Sequence, residues 1–459
     1  MRTARRSLSG LAVAAAAMLA ATGCSIASGS AQGTDQPSAG AIDPLPDDQN
    51  VSIVFESYNY GAAGPWTDTF TALIDEFEQH HPNIDVVPQK PQGSSANPAT
   101  DTVSSIQAQI AAGTPPDVAQ LGFSDLDFTV NQLGAANLDD LVGADQVTEL
   151  FDGGDHPFVD AVADLGTWDG STYGVPFVLS TPVLYYNASL FEAAGLDPDS
   201  PPTTWDEVAD AAAKISSVTG KGGIYVDCLT KSSKDWCFQS LVRSNGGTVI
   251  SDDRSTLTYA SDESVEVAAT MQQLVTSGAF PSLAQMQAVE AFAAGEIGMI
   301  LESSSVQGTF VKGATDSWDL RSSAMPSFGD TPAVPTNSGA ALFIFSKDPL
   351  KQAAAWELIN FLTSASSYAT ITQGIGYLPL REGVIESDPE LKAWYDKNPL
   401  VAPKLAQLPS IEPWISMPGN SYLQIRDQMM EAVENVVFSG ADPQQTLDAA
   451  VAEGMELMP

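Results

Sequence analysis

The segment LSTPVLYYN, residues 179–187, decides the fold. Two small polar residues and a proline, at positions 180–182, interrupt an apolar run that ends in two tyrosines and an asparagine. Proline cannot donate a hydrogen bond to a β-ladder, so it is not tolerated in the middle of a central strand. The pattern therefore predicts that one strand ends here, that the chain passes a hinge, and that another strand begins.

On the N-terminal side of this segment, predicted strands and helices alternate. VSIVFESY (51–58) is rich in β-branched and aromatic residues, which is typical of a strand. The next segment, 65–83, has apolar residues at helical spacing, namely Phe70, Leu73, Ile74 and Phe77. The alternation continues to about residue 122 and predicts parallel, doubly wound α/β structure. Ligands of such sheets bind beyond the carboxyl ends of the strands, so loops 58–61 and 123–125 are candidate cleft walls.

On the C-terminal side the alternation resumes, and 459 residues are too many for one ordinary core. Two domains are therefore expected. Thr204 is predicted to cap a helix in which Trp205 is a packing residue, and Asp442 followed by Pro443 is typical of the start of the last helix.

The N-terminus has the features of an export signal. Three arginines precede an apolar run that is too short to span a membrane as a mature helix, which predicts a signal peptide at 1–23. Its end, Ala21-Thr22-Gly23-Cys24, resembles the lipobox of bacterial lipoproteins, which implies a lipid on Cys24. Residues 24–49 are predicted to form a flexible tether. We expect a globular body outside the cell membrane, anchored through Cys24, while Arg5-Arg6 leaves Sec and twin-arginine export both open.

The charge balance limits the choice of partners. The chain has 57 acidic and 19 basic residues, a formal net charge of −38. Nucleic acids and anionic membrane surfaces are bound mainly through lysine and arginine, so neither is an expected partner. An anionic ligand would need a local basic group, because surface charges are screened over about 8–10 Å.

Cys228 and Cys237 are nine residues apart in a chain that is predicted to be exported. Such a pair is expected to form a disulfide, and without a neighbouring histidine a zinc site is not expected. The sequence contains no G-x-S-x-G, P-loop or H-E-x-x-H motif. We therefore predict no catalytic residue, no metal and no cofactor, and an exported hydrolase is only a distant alternative.

Four segments carry a family resemblance: 176–215, 295–305, 376–380 and 419–451. With them the body, from about residue 50 to 459, resembles the extracellular solute-binding proteins of ABC importers, the family that includes maltose-binding protein. Within that family it is most similar to the glycerol-3-phosphate-binding members of the Ugp uptake system.

The resemblance implies a two-lobed periplasmic-binding-protein-like α/β fold with a hinge between two doubly wound domains. It assigns residues 50–179 and 320–364 to a discontinuous N-lobe, and residues 183–318 and 372–459 to a C-lobe. The hinge crossovers are expected near 180–182, 319–327 and 363–374.

The resemblance also transfers five ligand contacts to this chain: Ser180, Ser303, Gly339, Tyr377 and Arg426. Arg426 would hold a phosphate. It lies on the apolar side of a predicted helix, so it needs an anionic partner, which is either an internal carboxylate or a ligand phosphate. The sequence departs from the pattern at Phe123, where the phosphate binders carry an acidic contact; the nearest acid is Asp125. Tyr58, Tyr60 and Trp236 are further candidates, because they could stack on a sugar.

The predicted function is capture of sn-glycerol 3-phosphate or a glycerophosphodiester for an ABC importer, without catalysis. A receptor for a sugar or oligosaccharide is the alternative. The expected partners are the small polar solute and the transmembrane subunits of a permease. The protein itself is expected to be a monomer that contacts the membrane only through its lipid anchor.

Overall fold

The computed structural model describes residues 42–61, 65–94 and 98–459. The predicted signal peptide, Cys24 and most of the tether lie outside these residues. Within the described ranges, no helix is long and apolar enough to cross a membrane.

The elements alternate along the chain much as the sequence predicts. The strands are β1 Val51–Glu56, β2 Ile84–Gln89, β3 Val118–Gly122, β4 Thr167–Trp168, β5 Ser171–Thr172, β6 Gly174–Ser180, β7 Pro182–Asn187, β8 Gly222–Val226, β9 Ile297–Ser303, β10 Leu320–Ser323 and β11 Ser338–Ile344. The helices are α1 Pro65–His80, α2 Thr102–Ala111, α3 Leu126–Asn131, α4 Ala144–Asp152, α5 Asp160–Ala163, α6 Ala188–Ala193, α7 Trp205–Thr219, α8 Trp236–Ser244, α9 Asp262–Thr276, α10 Gln285–Ala293, α11 Gln307–Ala314, α12 Pro349–Leu362, α13 Ala365–Ile375, α14 Val384–Ser387, α15 Pro389–Asp396, α16 Ala402–Gln407, α17 Tyr422–Ser439 and α18 Pro443–Met455.

Two separate sheets form the two lobes. The first has the order β2-β1-β3-β11-β6, and the second has the order β10-β7-β9-β8. Each sheet is packed in its own apolar cluster, with the helices around it. β6 ends at Ser180 and β7 begins at Pro182, so the interruption in LSTPVLYYN is the passage from one sheet to the other, as predicted.

Each sheet contains one strand that runs against its neighbours. β11 is antiparallel to β3 and β6, and β7 is antiparallel to β9 and β10. Both strands begin at the junction between the lobes, whereas β1, β3, β6, β8 and β9 end there. A strand that begins at the junction runs in the opposite direction to a strand that ends there. The sheets are therefore mixed, whereas strand–helix alternation alone predicts parallel sheets.

Two segments belong to a different lobe from the one expected. Leu320–Ser323 pairs with β7 and so extends the second sheet, although residues 320–364 were expected in the first lobe. Ile375, Leu378 and Leu380 are buried in the first apolar cluster, although residues after 372 were expected in the second lobe. Both crossovers therefore come later in the chain than expected, because packing partners rather than the local pattern decide where such short segments lie.

Local signals in the sequence are confirmed where they are strongest. Thr204 Oγ1 accepts a hydrogen bond from the Glu207 amide, and Glu207 accepts one from the Thr204 amide, which forms a capping box. Asp442 caps α18, and Pro443 occupies its first turn. Trp205 is buried in the second core, as predicted. The four apolar residues of α1 are buried against the first sheet.

Candidate functional site

A cavity of about 330 Å³ lies between the two sheets at the ends of their strands. Its walls come from both lobes and combine aromatic rings, hydroxyl groups and a few charged side chains: Tyr58, Trp66, Ala99, Thr102, Gly122, Ser124, Asp125, Ser180, Asp227, Ser232, Ser233, Lys234, Trp236, Gln285, Met286, Glu302, Ser303, Ser305, Val306, Ser338, Gly339, Tyr377 and Trp414. The loops after β1 and β3 contribute to it, as the carboxyl-end rule predicts.

Serine hydroxyls from the two sheets meet at the first crossover. Ser303 Oγ donates a hydrogen bond to Ser180 Oγ at 2.9 Å and lies 2.9 Å from Ser305 Oγ. Ser180 ends β6 and Ser303 ends β9, so both belong to strands that terminate at the cavity. The structure thus brings together two of the five residues that the family resemblance singled out.

Gly339 lies at the start of β11 and lines the same cavity. Its φ of +126° is unfavourable for any residue with a side chain, and a Cβ atom there would collide with the carbonyl oxygen of Val178. Glycine is therefore required here, and the backbone itself forms this part of the wall.

Tyr377 contributes an aromatic edge to the first lobe's side of the cavity. Its ring packs edge-on against Trp66, with a centroid distance of 5.0 Å. Burial raises the pKa of Tyr58 to about 12 and, together with the neighbouring Tyr58, raises the pKa of Tyr377 well above its usual value. Both phenols are therefore neutral at physiological pH and can act as hydrogen-bond donors.

Arg426 lies next to the cavity rather than on its wall. It borders a small void that shares Ser124 and Trp414 with the main cavity. Its Nε and Nη2 donate to Asp427 Oδ1 at 3.1 and 2.9 Å, and its charge acts on the pKa of buried Asp235. The arginine thus has a carboxylate partner in this structure, which is one of the two alternatives that the sequence leaves open.

A disulfide holds a loop of the second lobe that carries several residues of the cavity wall. Cys228 follows β8 and is bonded to Cys237 in α8, as predicted. The enclosed loop supplies Ser232, Ser233, Lys234 and Trp236 to the cavity.

Among the described residues on the cavity wall, Lys234 is the one with a positively charged side chain. Its backbone has φ +60° and ψ −174°, a conformation that costs a non-glycine residue about 1–3 kcal/mol. Its Nζ stands 5.9 Å from the centre of the Trp414 ring and makes no hydrogen bond or ion pair within the described residues. Burial lowers the pKa of Lys234, and the charge of Asp125 partly opposes this effect.

The additional candidates from the sequence separate into two groups. Asp125 and Trp236 line the cavity, and Asp125 Oδ1 accepts a hydrogen bond of 2.8 Å from the Tyr422 hydroxyl. Phe123 is buried in the first core, and Tyr60 packs edge-on against Phe55, so neither contributes to the cavity wall. Within the described ranges, no cluster of three or more histidine, cysteine, aspartate or glutamate side chains could hold a metal ion.

Sequence reasoning missed several cavity residues. Asp227 and Glu302 lie at the carboxyl ends of β8 and β9, so the rule that selected loops 58–61 and 123–125 would also have selected them. Lys234 and Trp414 carry no such signal, because tertiary packing brings their loops together from distant parts of the chain.

Comparison with known proteins gives one family match and many relatives. The family model described as bacterial extracellular solute-binding protein matches residues 72–403. The sn-glycerol-3-phosphate-binding periplasmic protein UgpB of Salmonella typhimurium is 28% identical over 409 residues, which cover 84% of this chain and 88% of the relative. UgpB of Escherichia coli is 29% identical over 301 residues, which cover 63% of this chain and 68% of the relative.

Solved structures share the fold at low sequence identity. UgpB from Mycobacterium tuberculosis in complex with glycerophosphocholine has a TM-score of 0.76 and 22% identity, covering 89% of this chain and 98% of that one. The cyclic α-maltosyl-1,6-maltose binding protein from Arthrobacter globiformis has a TM-score of 0.73 and 23% identity, covering 89% and 100%. The fold is therefore common to proteins with phosphodiester and with sugar ligands.

Proposed function

Because the chain belongs to the bacterial extracellular solute-binding proteins, which capture substrates for ABC importers, we propose that its solute is sn-glycerol 3-phosphate or a glycerophosphodiester. Members of this family bind and deliver their solutes and are not enzymes. In this proposal the two lobes close over the solute, because contacts to both lobes stabilise the closed form.

The Lys234 ammonium on the cavity wall carries the proposal. It is partly buried on a strained backbone and has no anionic partner in hydrogen-bond contact. The two acids whose charges most oppose the lowering of its pKa have other contacts: Asp125 accepts from Tyr422, and Asp235 accepts from Trp414 and Gln239. A phosphate group would supply the missing anion, and hydrogen bonds between ionised groups are about twice as strong as neutral ones.

Arg426 is proposed as the second phosphate contact. Its ion-pair partner, the adjacent Asp427, has a carboxylate that is 45% exposed, so water can hydrate this carboxylate when the pair opens. Its Nη1 makes no hydrogen bond within the described residues. Exchange of Asp427 for a ligand phosphate would therefore cost little. Ser180, Ser303, the Gly339 amide and Tyr377 are proposed to hold the rest of the solute.

A sugar is the second candidate solute. The specific observation in its favour is the aromatic share of the wall, with Tyr58, Trp66, Trp236 and Trp414 beside several serine hydroxyls. This combination suits the apolar faces and hydroxyl groups of a sugar ring.

The test is calorimetric titration with sn-glycerol 3-phosphate, glycerophosphocholine and maltose. We expect the phosphate compounds to bind, and we expect Lys234→Met to weaken them by about tenfold or more. The matched control is Lys231→Met, which removes an exposed lysine of the same loop. Tight binding of maltose without a response to either phosphate compound would contradict the proposal and favour the sugar.

We further propose that the protein acts as a monomer and is held at the outer face of the cell membrane by a lipid on Cys24. The support for the anchor is the export signal that ends at this cysteine and the tether that follows it. Cys24→Ala should release the protein from membranes. A variant that stays membrane-bound after a high-salt wash would place the anchor elsewhere.

A further inference from the structure

Two acidic residues lie side by side on the second lobe's wall of the cavity. β8 and β9 are parallel neighbours in which Val226 is opposite Leu301, so the residues that follow, Asp227 and Glu302, are adjacent. Both side chains are buried, with 2% and 3% of their surface exposed, and both border the cavity.

The hydrogen bonds of this pair are incomplete. Asp227 Oδ1 accepts from Ser233 Oγ at 2.5 Å, and Oδ2 accepts from Gln285 Nε2 at 2.6 Å. Glu302 lies against the Asp227 carboxyl, and each of the two groups acts on the pKa of the other. Glu302 Oε2, however, has no hydrogen-bond partner among the described residues. A buried acceptor without a donor costs about 1–3 kcal/mol, and a ligand in the cavity that carries an N–H or O–H group would supply the donor.

No basic side chain of the described residues is within ion-pair distance of either carboxyl. The titratable groups that face the pair are Tyr225 on β8 and Tyr185 on β7, and burial raises the pKa of both, so they stay neutral. Burial, followed by the charge of Asp227, raises the pKa of Glu302 well above its usual value, and burial also raises the pKa of Asp227. The pair therefore retains a proton at a pH where an exposed carboxyl has lost it.

We propose that Asp227 and Glu302 form a subsite for a primary ammonium group, which donates a hydrogen bond to Glu302 Oε2 and replaces the shared proton. The inference rests on the proposed function, because it makes the preferred solute a phosphodiester with an amino group at its other end. The exchange is balanced: the ammonium enters with one positive charge, and one proton leaves the carboxyl pair for solvent.

The chemistry of the site favours a primary ammonium over two related groups. A quaternary ammonium has the charge but no N–H, so it would leave Oε2 without a donor. A hydroxyl group offers a donor but no charge, so it would leave the shared proton in place. Of these three groups, only the primary ammonium supplies both a hydrogen-bond donor for Oε2 and a positive charge beside the two carboxyls.

The experiment compares glycerophosphoethanolamine, glycerophosphocholine and sn-glycerol 3-phosphate by titration calorimetry in two buffers of different ionisation enthalpy. We expect glycerophosphoethanolamine to bind about tenfold or more tightly than glycerophosphocholine and to release a proton, so that its affinity rises with pH. Glu302→Gln should abolish both the preference and the proton release. Glu290→Gln removes an exposed acid from α10 and should change neither.

Equal binding of the two phosphodiesters, or a preference that survives in Glu302→Gln, would overturn the inference while leaving phosphate capture intact. If no phosphate compound binds, the proposed function fails. A titration with free ethanolamine then tests the ammonium subsite by itself. Proton release on ethanolamine binding that depends on Glu302 would support the subsite, and its absence would refute it. Should Glu302→Gln fail to fold, the ligand preference and proton release of the wild type decide the question.

Discussion

The Oγ atoms of Ser303 and Ser180 are joined by a hydrogen bond of 2.9 Å, which connects the last residue of β9 to the last residue of β6. These strands belong to different sheets, so the bond spans the first crossover. Both residues also border the cavity. A ligand that contacts either hydroxyl is therefore in direct contact with the hinge about which the lobes would close.

We predict that Ser303→Ala weakens solute binding about fivefold, because it removes a hydroxyl worth about 1 kcal/mol from both the cavity and the crossover. Titration calorimetry measures the change. Ser323→Ala is the matched control, since Ser323 ends β10 and its hydroxyl donates, within the described part of the chain, only to the neighbouring Ala324 carbonyl. Equal effects of the two variants would contradict a special role for Ser303.

The disulfide gives the second prediction. Replacing both Cys228 and Cys237 by Ser should lower the free energy of unfolding by about 2–3 kcal/mol, because the unfolded chain is no longer constrained. Solute affinity should fall as well, since the released loop carries Lys234 and Trp236 into the cavity and must now be ordered on binding. Urea unfolding and calorimetry measure the two effects. Two free thiols in non-reduced wild-type protein, detected by mass spectrometry, would refute the bond itself.

The sequence predicts those parts of the molecule that local chemistry determines. The strand break at Pro182 and the cap at Thr204 follow from residue types within a few positions. In contrast, the short strand Leu320–Ser323 has no strong pattern of its own, and its partner β7 determines its sheet. Long-range packing could not be predicted for a similar reason: Trp414 Nε1 donates to Asp235 Oδ1 across 179 positions.

The candidate site also combines residues that the sequence predicts with residues that only the structure identifies. Family resemblance finds Ser180 and Ser303, because their segments match over many residues. Asp227 and Glu302 stand at the ends of predicted strands, where the carboxyl-end rule would have selected them, but the sequence does not distinguish them as buried among its 57 acidic residues. Their burial and their adjacency depend on strand pairing, which becomes visible only in the structure.

The third prediction concerns a buried lysine near the cavity. Lys404 is fully buried, its Nζ donates to the Gly376 carbonyl at 2.6 Å, and burial lowers its pKa from 10.5 to about 7. Between pH 7 and 10 the unfolded chain therefore holds a proton that the folded chain has lost. The contribution of this residue to the free energy of unfolding should rise with pH across that window, by up to about 1.4 kcal/mol per unit.

Urea unfolding at pH 7, 8 and 9 checks this expectation. Lys404→Met should reduce the slope of the free energy of unfolding against pH, because the variant has no titrating group at this position. Lys397→Met, which replaces an exposed lysine of the same region, should keep the slope of the wild type. A slope that is the same in Lys404→Met and in the wild type would mean that Lys404 keeps an ordinary pKa in the folded protein.

The last prediction decides the role of Arg426. Its Nε and Nη2 both donate to one oxygen of Asp427, a half-exposed neighbour, while buried Asp235 acts on it only through its charge. If the guanidinium exchanges Asp427 for a ligand phosphate, Arg426→Ala should weaken binding of glycerol 3-phosphate by at least about a hundredfold, with little change in the melting temperature. Arg426→Lys should also bind poorly, because a point charge cannot reproduce the planar fork.

The opposite result has an equally clear physical meaning. If Arg426 mainly compensates the charge of Asp235, its removal leaves a buried carboxylate without its opposing cation, so the melting temperature should fall strongly while affinity barely changes. Arg321→Ala is the matched control, since Arg321 pairs with Asp199 and Asp319 at the far edge of the second sheet. Calorimetry and melting curves for the wild type and the three variants separate the two roles. A phosphate contact lowers mainly the affinity when it is removed, whereas a structural ion pair lowers mainly the melting temperature.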